Sequence, residues 1–319
     1  MRRLWLAAAC AAAVFASGLV AAAIAQDGEG VKVGRASFVR RLVPVAQIEQ
    51  AGAQQYLALK NQANSKRALL PPTHPQAQRL KRIFDDIAPH VAKWNPRAKD
   101  WRWEVALISS RNINAFCLPG GKIAFFIGIL EQLNLTDDEV AMIMGHEMAH
   151  ALREHARERA AKTTITQIGS RLIGSLLFGQ AGEAIGAAGS SLLTLKFSRD
   201  DEKEADLIGM ELAARAGYDP AAGITLWRKM DAAAKSAPPQ WMSTHPASAT
   251  RVKLIQDNLK DVARLYERGK AARLARQGDS TVATPQSLPS PRASPQPQQP
   301  PAPSRPSTFP AQVPPPGPR

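Results

Sequence analysis

Residues 136–158 read TDDEVAMIMGHEMAHALREHARE, and the interpretation of the whole chain starts from them. Their pattern predicts one helix over 136–158. Thr136 is suited to the N-cap, and Glu139, three residues later, completes a capping box. His146 and His150 are four residues apart, so both imidazoles project from the same face about one turn apart. Two nitrogens placed in this way can bind one zinc ion.

The neighbouring residues supply the other groups that a zinc site needs. Glu147 lies about a third of a turn from His146, so it can reach a water beside the metal without being a ligand. A second stretch, FSRDDEKEAD at 197–206, places Glu202 and Asp206 four residues apart on one helical face. Glu202 can complete a site for one zinc per chain, and Asp206 can hydrogen-bond a ligand histidine. The alternative is a solvated helix with two surface histidines.

The two ends of the chain differ from its middle in composition. Residues 1–25 have a basic start and an apolar run, which predicts a cleavable signal peptide, with an uncleaved membrane anchor as the alternative. Residues 277–319 are rich in Pro, Ser and Gln, which predicts a disordered tail. This tail either docks a partner, whose identity is unknown, or only solubilises the protein.

Charge and cysteine content restrict the class of protein. A formal net charge of +14 favours acidic surfaces such as an anionic membrane or an envelope polymer. A secreted destination argues against a nucleic-acid partner. Without the signal peptide a single cysteine remains, Cys117, so we expect no internal disulfide and a buried, inert thiol.

Hydrophobic patterns along the rest of the chain predict a mixed architecture. We expect strands around Ser37–Val45 and at Trp103–Ser109, Ala115–Leu118 and Ile123–Ile127, and helices at Gln54–Ala68, Gln76–Lys93 and Ser248–Arg268. The last two strands form a hairpin before the histidine helix, and its edge could accept an extended peptide. His74 and His90 have no partner at ligand spacing and are interpreted as structural or surface residues.

Residues 163–195, between the two ligand-bearing stretches, are apolar and rich in Gly, Ala and Ser. We expect a helical hairpin that covers the site, with membrane insertion as the alternative. Residues 241–246 are predicted to form a loop.

Four motifs occur in an order that resembles peptidase family M48: NAFCLPGGKI (114–123), HEMAH (146–150), SRDDEKEAD (198–206) and STHPASATR (243–251). The resemblance covers about residues 103–268. It is closest to the periplasmic, BepA-like and LoiP-like branch, although no tetratricopeptide repeats are recognisable after Arg268.

The resemblance implies an α+β, mainly α-helical gluzincin fold with a small β-sheet beside the HExxH helix. It implies zinc ligation by His146, His150 and Glu202, Glu147 as catalytic base, and Asp206 as a supporting residue. It also implies that the substrate cleft is lined by Asn114, Ala115, Phe116, Cys117, Leu118, Pro119 and Gly120.

His245 is the other candidate in these motifs. It either acts as a reversible fourth ligand or contacts the substrate carbonyl, with a purely structural loop histidine as the alternative. His155, nine residues after His146, is assigned to packing or to the surface.

The predicted function is a zinc metalloendopeptidase of the bacterial periplasm or cell envelope that acts on unfolded or misassembled envelope proteins. The expected partners are these polypeptide substrates, and an association with the envelope or the outer membrane is a further expectation. The alternatives are a chaperone-like zinc protein with a latched site and a membrane-associated protease. The predicted organisation is a signal peptide (1–25), an N-terminal helical segment (26–100), a zinc metallopeptidase domain (101–270) and the tail (277–319).

Overall fold

The computed structural model describes residues 29–163, 192, 196–235, 239–245 and 249–282. The predicted signal peptide, almost all of the segment 163–195 and residues 283–319 of the predicted tail lie outside these ranges. None of the helices formed by the described residues is both long enough and apolar enough to cross a bilayer. The domain boundaries proposed for the chain stay predictions.

The chain is mainly helical with one small sheet, as the α+β prediction required. The helices are α1 (Val45–Ser65), α2 (Pro75–Ile87), α3 (Ile127–Gln132), α4 (Asp137–Leu152), α5 (Arg199–Arg215), α6 (Ala222–Ala234), α7 (Gln240–Thr244) and α8 (Ala249–Val282). Residues 155–163 are also helical. Short 3-10 helices occur at Phe38–Leu42, Ala88–Lys93 and Pro96–Asp100, and the strands are β1 (Glu104–Ile108), β2 (Ala115–Leu118) and β3 (Lys122–Phe126).

The sheet has the order β1-β3-β2, with β3 parallel to β1 and antiparallel to β2. The predicted hairpin between β2 and β3 is confirmed. Gly120 and Gly121 form its turn at φ values of 81° and 79°, a region that side chains other than glycine rarely occupy. Within the described sheet β2 is therefore an edge strand, and it packs directly on α4.

Helix α4 lies at the centre of the core. Thr136 and Glu139 form the predicted capping box at its start. Every residue from 139 to 152 is buried, including both histidines, so the alternative of a solvated helix with two surface histidines is wrong. Helices α2, α5 and α6 and strand β2 surround α4, which accounts for burial on all sides.

Two glycines let α4 and α5 come unusually close. A Cβ on Gly145 would lie 2.7 Å from the carbonyl oxygen of Gly209, and one on Gly209 would lie 2.6 Å from the backbone nitrogen of His146. Both distances are shorter than real Cβ contacts, and backbone atoms cannot rotate away. Glycine at both positions therefore allows α5 to reach the histidine-bearing segment of α4.

The strand predicted around Ser37–Val45 is wrong. The Ser37 hydroxyl accepts a hydrogen bond from the backbone N–H of Val39 and starts a 3-10 helix, and α1 begins at Val45, nine residues before the predicted helix. Phe38 and Leu42, two apolar residues of this segment, are 75% and 63% exposed. These apolar residues find no partner strand in the described sheet.

The single helix predicted over 136–158 is also wrong, because α4 ends at Leu152. Glu154 has a φ of 60°, which breaks the helix. Its carboxylate is held by Arg40, Arg97 and Arg157, and these ion pairs stabilise the break.

The last predicted helix, Ser248–Arg268, was too short. Helix α8 passes Gly269, which touches the backbone of Ala214 and Gly217 rather than ending the helix, and it continues to Val282. Residues 277–282, assigned to the tail, are therefore helical. Most of the predicted loop at 241–246 is instead the short helix α7, which ends at Thr244 with His245 as its C-cap.

We predict that Gly209→Ala destabilises the protein. Alanine is ordinarily favoured over glycine in a helix interior by about 1 kcal/mol. At Gly209 the close contact of α4 and α5 should make alanine unfavourable instead. The added methyl group should lower the free energy of unfolding by about 1–3 kcal/mol, as overpacking does. Urea denaturation measures the change.

The matched control is Gly34→Ala, because a Cβ there would meet no heavy atom within 4 Å. Its free energy of unfolding should stay within about 0.5 kcal/mol of the wild-type value. A stabilising Gly209→Ala substitution would show that the two helices do not need this close approach.

Candidate metal centre

Four buried side chains converge beside the middle of α4. His146 and His150 come from α4, Glu202 from α5 and His245 from the end of α7, and one ligand atom from each lies within 4.8 Å of all the others. The Nε2 atoms of His146 and His150 are 3.1 Å apart. The Nδ1 atom of His245 lies 3.3 Å from His146 Nε2 and 3.0 Å from Glu202 Oε1. The structure thus brings the three predicted zinc ligands together and places His245, the candidate fourth ligand, beside them.

The protonation of the histidines suits metal binding. Burial lowers the pKa of His146, lowers that of His150 further, and lowers that of His245 to about 4, so all three rings are neutral near pH 7. Asp206 Oδ1 lies 3.1 Å from His146 Nδ1. Because an ionised carboxylate only accepts hydrogen bonds, His146 carries its hydrogen on Nδ1 and has its lone pair on Nε2. This nitrogen faces the other ligand atoms.

Arg251 balances the buried carboxylates. It donates from Nε to Asp206 Oδ2 and from Nη2 to Asp206 Oδ1, both at 2.6 Å, and its Nη1 lies 2.6 Å from Glu202 Oε2. Burial alone would raise the pKa of Asp206, but Arg251 holds that pKa below its usual range. For Glu202 the effect of burial is larger than the opposing effects of His146 and Arg251, and the pKa is raised to about 7. A buried carboxylate beside neutral histidines is a donor set that fits a divalent metal such as zinc.

Glu147 lies next to this group but is not one of the four. Its Oε1 accepts a hydrogen bond of 2.6 Å from the indole nitrogen of Trp241 and lies 3.5 Å from His245 Nε2. Burial raises the pKa of Glu147 above its usual range, although His245 and Trp241 oppose that shift. The carboxylate is therefore oriented from one side and remains beside the ligands.

The predicted cleft segment divides into two parts. Phe116, Cys117, Leu118 and Pro119 line a pocket that also contains Glu147 and His245, and Gly120 lines a neighbouring pocket that reaches His150. Asn114 instead accepts a hydrogen bond from the backbone N–H of Ala115, which is buried against the sheet.

His74 and His90, interpreted as structural or surface residues, are not part of the ligand group found among the described residues. His74 accepts a hydrogen bond from the backbone N–H of Gln76 at the start of α2, and His90 lies in a 3-10 helix. Burial raises the pKa of the Cys117 thiol well above its usual range, so the thiol stays protonated.

Several site residues were missed or underrated by sequence reasoning. Phe197 stacks on His150 with ring centroids 3.9 Å apart, and Trp241 stacks on His245 at 4.9 Å. Arg251 is the last residue of one of the four motifs, and Phe197 directly precedes another. Their proximity to the motifs was the sequence signal that could have identified them as site residues. His155, assigned to packing or to the surface, is buried and lies 2.9 Å from His150, nitrogen to nitrogen.

We predict that Arg251→Met lowers the free energy of unfolding of the chelator-treated protein by about 3–5 kcal/mol at pH 8, because it leaves buried carboxylates unpaired. The loss should be smaller at pH 5. Without Arg251 the pKa of Asp206 is no longer held low, so this group takes up a proton in the folded state as the pH falls and sheds the uncompensated charge.

Urea denaturation at both pH values checks this pH dependence. The control is Arg228→Met, since Arg228 is exposed. Equal losses for the two substitutions, or a loss that does not depend on pH, would contradict the charge-balancing role of Arg251.

Comparison with known proteins gives the family. The model of Peptidase family M48 matches residues 74–259, which is more than half of the chain. Mitochondrial metalloendopeptidase OMA1 of Arabidopsis thaliana is 35% identical over 178 residues, which cover 55% of this chain and 36% of that protein. Metalloprotease LoiP of Escherichia coli is 26% identical over 61% of this chain and 75% of its own length.

A third relative, the putative beta-barrel assembly-enhancing protease of Vibrio cholerae, is 32% identical over 46% of this chain and 32% of its own length. The chain spans between about a third and two thirds of the length of its OMA1 relatives. The order of motifs, the mainly helical fold and the family match agree, and the chain belongs to peptidase family M48.

Proposed function

We propose that the chain is a zinc-dependent endopeptidase. The observation that carries this proposal is the position of Glu147 beside a buried group of two α4 histidines, Glu202 and His245, next to edge strand β2. The names of the relatives, which are metalloproteases, support the same class of activity.

In this proposal His146, His150 and Glu202 hold one zinc ion. Bound zinc supplies Lewis-acid chemistry, since it polarises a carbonyl group and makes water more acidic. Asp206 keeps the lone pair of His146 directed into the site, and Arg251 keeps Asp206 ionised. These contacts hold the ligands in place before substrate arrives.

Glu147 acts as the general base and then as the general acid. Its carboxylate takes a proton from the attacking water and gives it to the leaving amine. The raised pKa of this buried group favours a carboxylate that can hold a proton for part of the reaction. Trp241 restrains one oxygen of Glu147, which reduces the number of orientations that the carboxylate can adopt.

Strand β2 binds the substrate in the same proposal. An extended peptide that pairs with an edge strand is held through its main chain, so unfolded segments of varied sequence are accepted. Phe116, Cys117 and Leu118 then place that peptide beside Glu147.

We further propose that the substrates are unfolded or misassembled proteins of the bacterial cell envelope and that the chain works in the periplasm. The support is the predicted signal peptide, together with similarity to LoiP and to the beta-barrel assembly-enhancing protease. The relatives named as mitochondrial do not share this location, so cell fractionation of the full chain is the direct test.

A second candidate function is a zinc protein that binds extended polypeptides without cleaving them, because His245 keeps its metal site closed as a latch. The position of His245 favours it, because Nδ1 lies among the ligand atoms, where it could occupy the place that a substrate needs. The two functions differ in whether the site opens to cleave.

We predict that Glu147→Gln greatly slows cleavage while zinc is retained. Chain 26–319, which lacks the predicted signal peptide, is incubated with an unfolded model protein, and zinc content is measured in parallel. Loss of a general base should lower the rate by about 10²–10⁴-fold. The control is Glu131→Gln, because Glu131 is exposed on α3. Wild-type cleavage by Glu147→Gln would exclude Glu147 as the base.

We predict that His245→Ala increases cleavage if His245 is a latch on a working protease. A tenfold rise in kcat/KM would correspond to a preference for the closed state of about 1.4 kcal/mol. Rates with the same unfolded substrate, together with zinc content, measure the effect. If the variant binds zinc but neither it nor the wild type cleaves, the binding function replaces the protease.

A further inference from the structure

His155 reaches the site because α4 is interrupted. On a continuous helix a residue five positions after His150 would point about 140° away from it. The break at Glu154, with its φ of 60°, redirects the chain, and residues 155–163 form a new helical stretch. The Nδ1 atom of His155 comes to 2.9 Å from the Nδ1 atom of His150, and the His155 residue is only 2% exposed.

The other nitrogen of His155 contacts a carboxylate. His155 Nε2 lies 2.9 Å from Glu204 Oε2, and Glu204 Oε1 accepts a hydrogen bond of 2.7 Å from Arg153 Nη2. An ionised carboxylate only accepts, so the hydrogen of a neutral His155 ring lies on Nε2. Nδ1 of His155 is then an acceptor that points at His150.

This arrangement determines the tautomer of His150. Two lone pairs 2.9 Å apart would repel, so His150 donates its Nδ1 hydrogen to His155. The lone pair of His150 is consequently on Nε2, the atom that lies 3.1 Å from His146 Nε2 and 3.5 Å from Glu202 Oε1. Phe197, stacked on the ring at 3.9 Å, limits its rotation.

The two α4 histidines are thus controlled in parallel ways. Asp206 contacts His146 directly, whereas Glu204, two residues earlier on α5, acts on His150 through His155. One segment of α5 therefore supplies the metal-facing Glu202 and both of the carboxylates that orient the histidines.

We propose that His155 and Glu204 are positioning residues that fix the tautomer and orientation of His150 and thereby strengthen metal binding. This inference rests on the proposed function, because it requires His150 to be a metal ligand. Removal of a partner that orients a ligand histidine ordinarily weakens metal binding by about tenfold to a hundredfold.

The test measures the Zn²⁺ dissociation constant of chain 26–319 by competition with a chromophoric chelator. His155→Phe keeps a ring and removes both nitrogens, and we expect it to weaken zinc binding by about tenfold to a hundredfold. His155→Asn places an amide oxygen near the position of Nδ1 and should restore most of the affinity. The control is His90→Phe, a histidine outside the ligand group, which should bind zinc like the wild type.

A second variant protects the test against misfolding. Glu204→Leu removes the acceptor of His155 Nε2 and leaves the His155 ring in place, so it should also weaken zinc binding. Thermal melting of each chelator-treated variant shows whether it folds.

The outcomes separate this inference from the proposed function. If the wild type binds no zinc, the proposed metal centre fails and the positioning role fails with it. If the wild type binds zinc and folded His155→Phe or Glu204→Leu binds it equally well, only the positioning role is overturned. The positioning role is also overturned if folded His155→Asn binds zinc as weakly as His155→Phe, because the acceptor atom then has no effect on zinc binding.

Discussion

The backbone contact between Gly145 and Gly209 is the constraint on which the site depends. It sets the separation of α4, which carries two histidines, from α5, which carries Glu202 and Asp206. Hydrogen-bond and ligand distances tolerate only a few tenths of an ångström. A wider separation would move the carboxylates of α5 away from both histidines at once, so a core contact controls the geometry of polar side chains.

Burial makes the negative charges of the same site costly in free energy. Glu147, Glu202 and Asp206 lie close together out of water, and each ionised carboxylate costs several kcal/mol in such surroundings. Arg251 offsets part of this cost and is itself held over the ring of Trp227, 3.8 Å from its centre. The raised pKa of Glu202 shows that one arginine does not fully compensate. A divalent cation would supply the missing positive charge, which gives the group a physical reason to bind one.

The features predicted correctly from sequence depend on neighbouring residues. The capping box at Thr136 and the glycine turn after β2 follow from local hydrogen bonding and backbone freedom. Four-residue spacing likewise identified which side chains share a helical face. Contacts between distant residues account for what was missed: Glu154 breaks α4 partly through Arg97, which is 57 positions away, and this break moves His155 into the site.

The prediction for Ser37–Val45 failed for a related reason. A short apolar stretch forms a strand only where a neighbouring strand exists to pair with it, and the Ser37 cap favoured a 3-10 helix instead. Arg251 and Trp241 could not be assigned roles from spacing, because α5 and α4 bring their partners from 45 and 94 positions away.

The distribution of the four metal-facing groups over α4, α5 and the end of α7 has a consequence for how the protein is made. Only His146 and His150 are neighbours in sequence, so an unfolded chain holds an incomplete ligand set. Glu147 likewise gains the restraint of Trp241 only after α7 has docked. During synthesis the chain therefore carries no assembled centre, and, under the proposed protease function, a nascent copy is not equipped to cut itself or its neighbours before its own folding is complete.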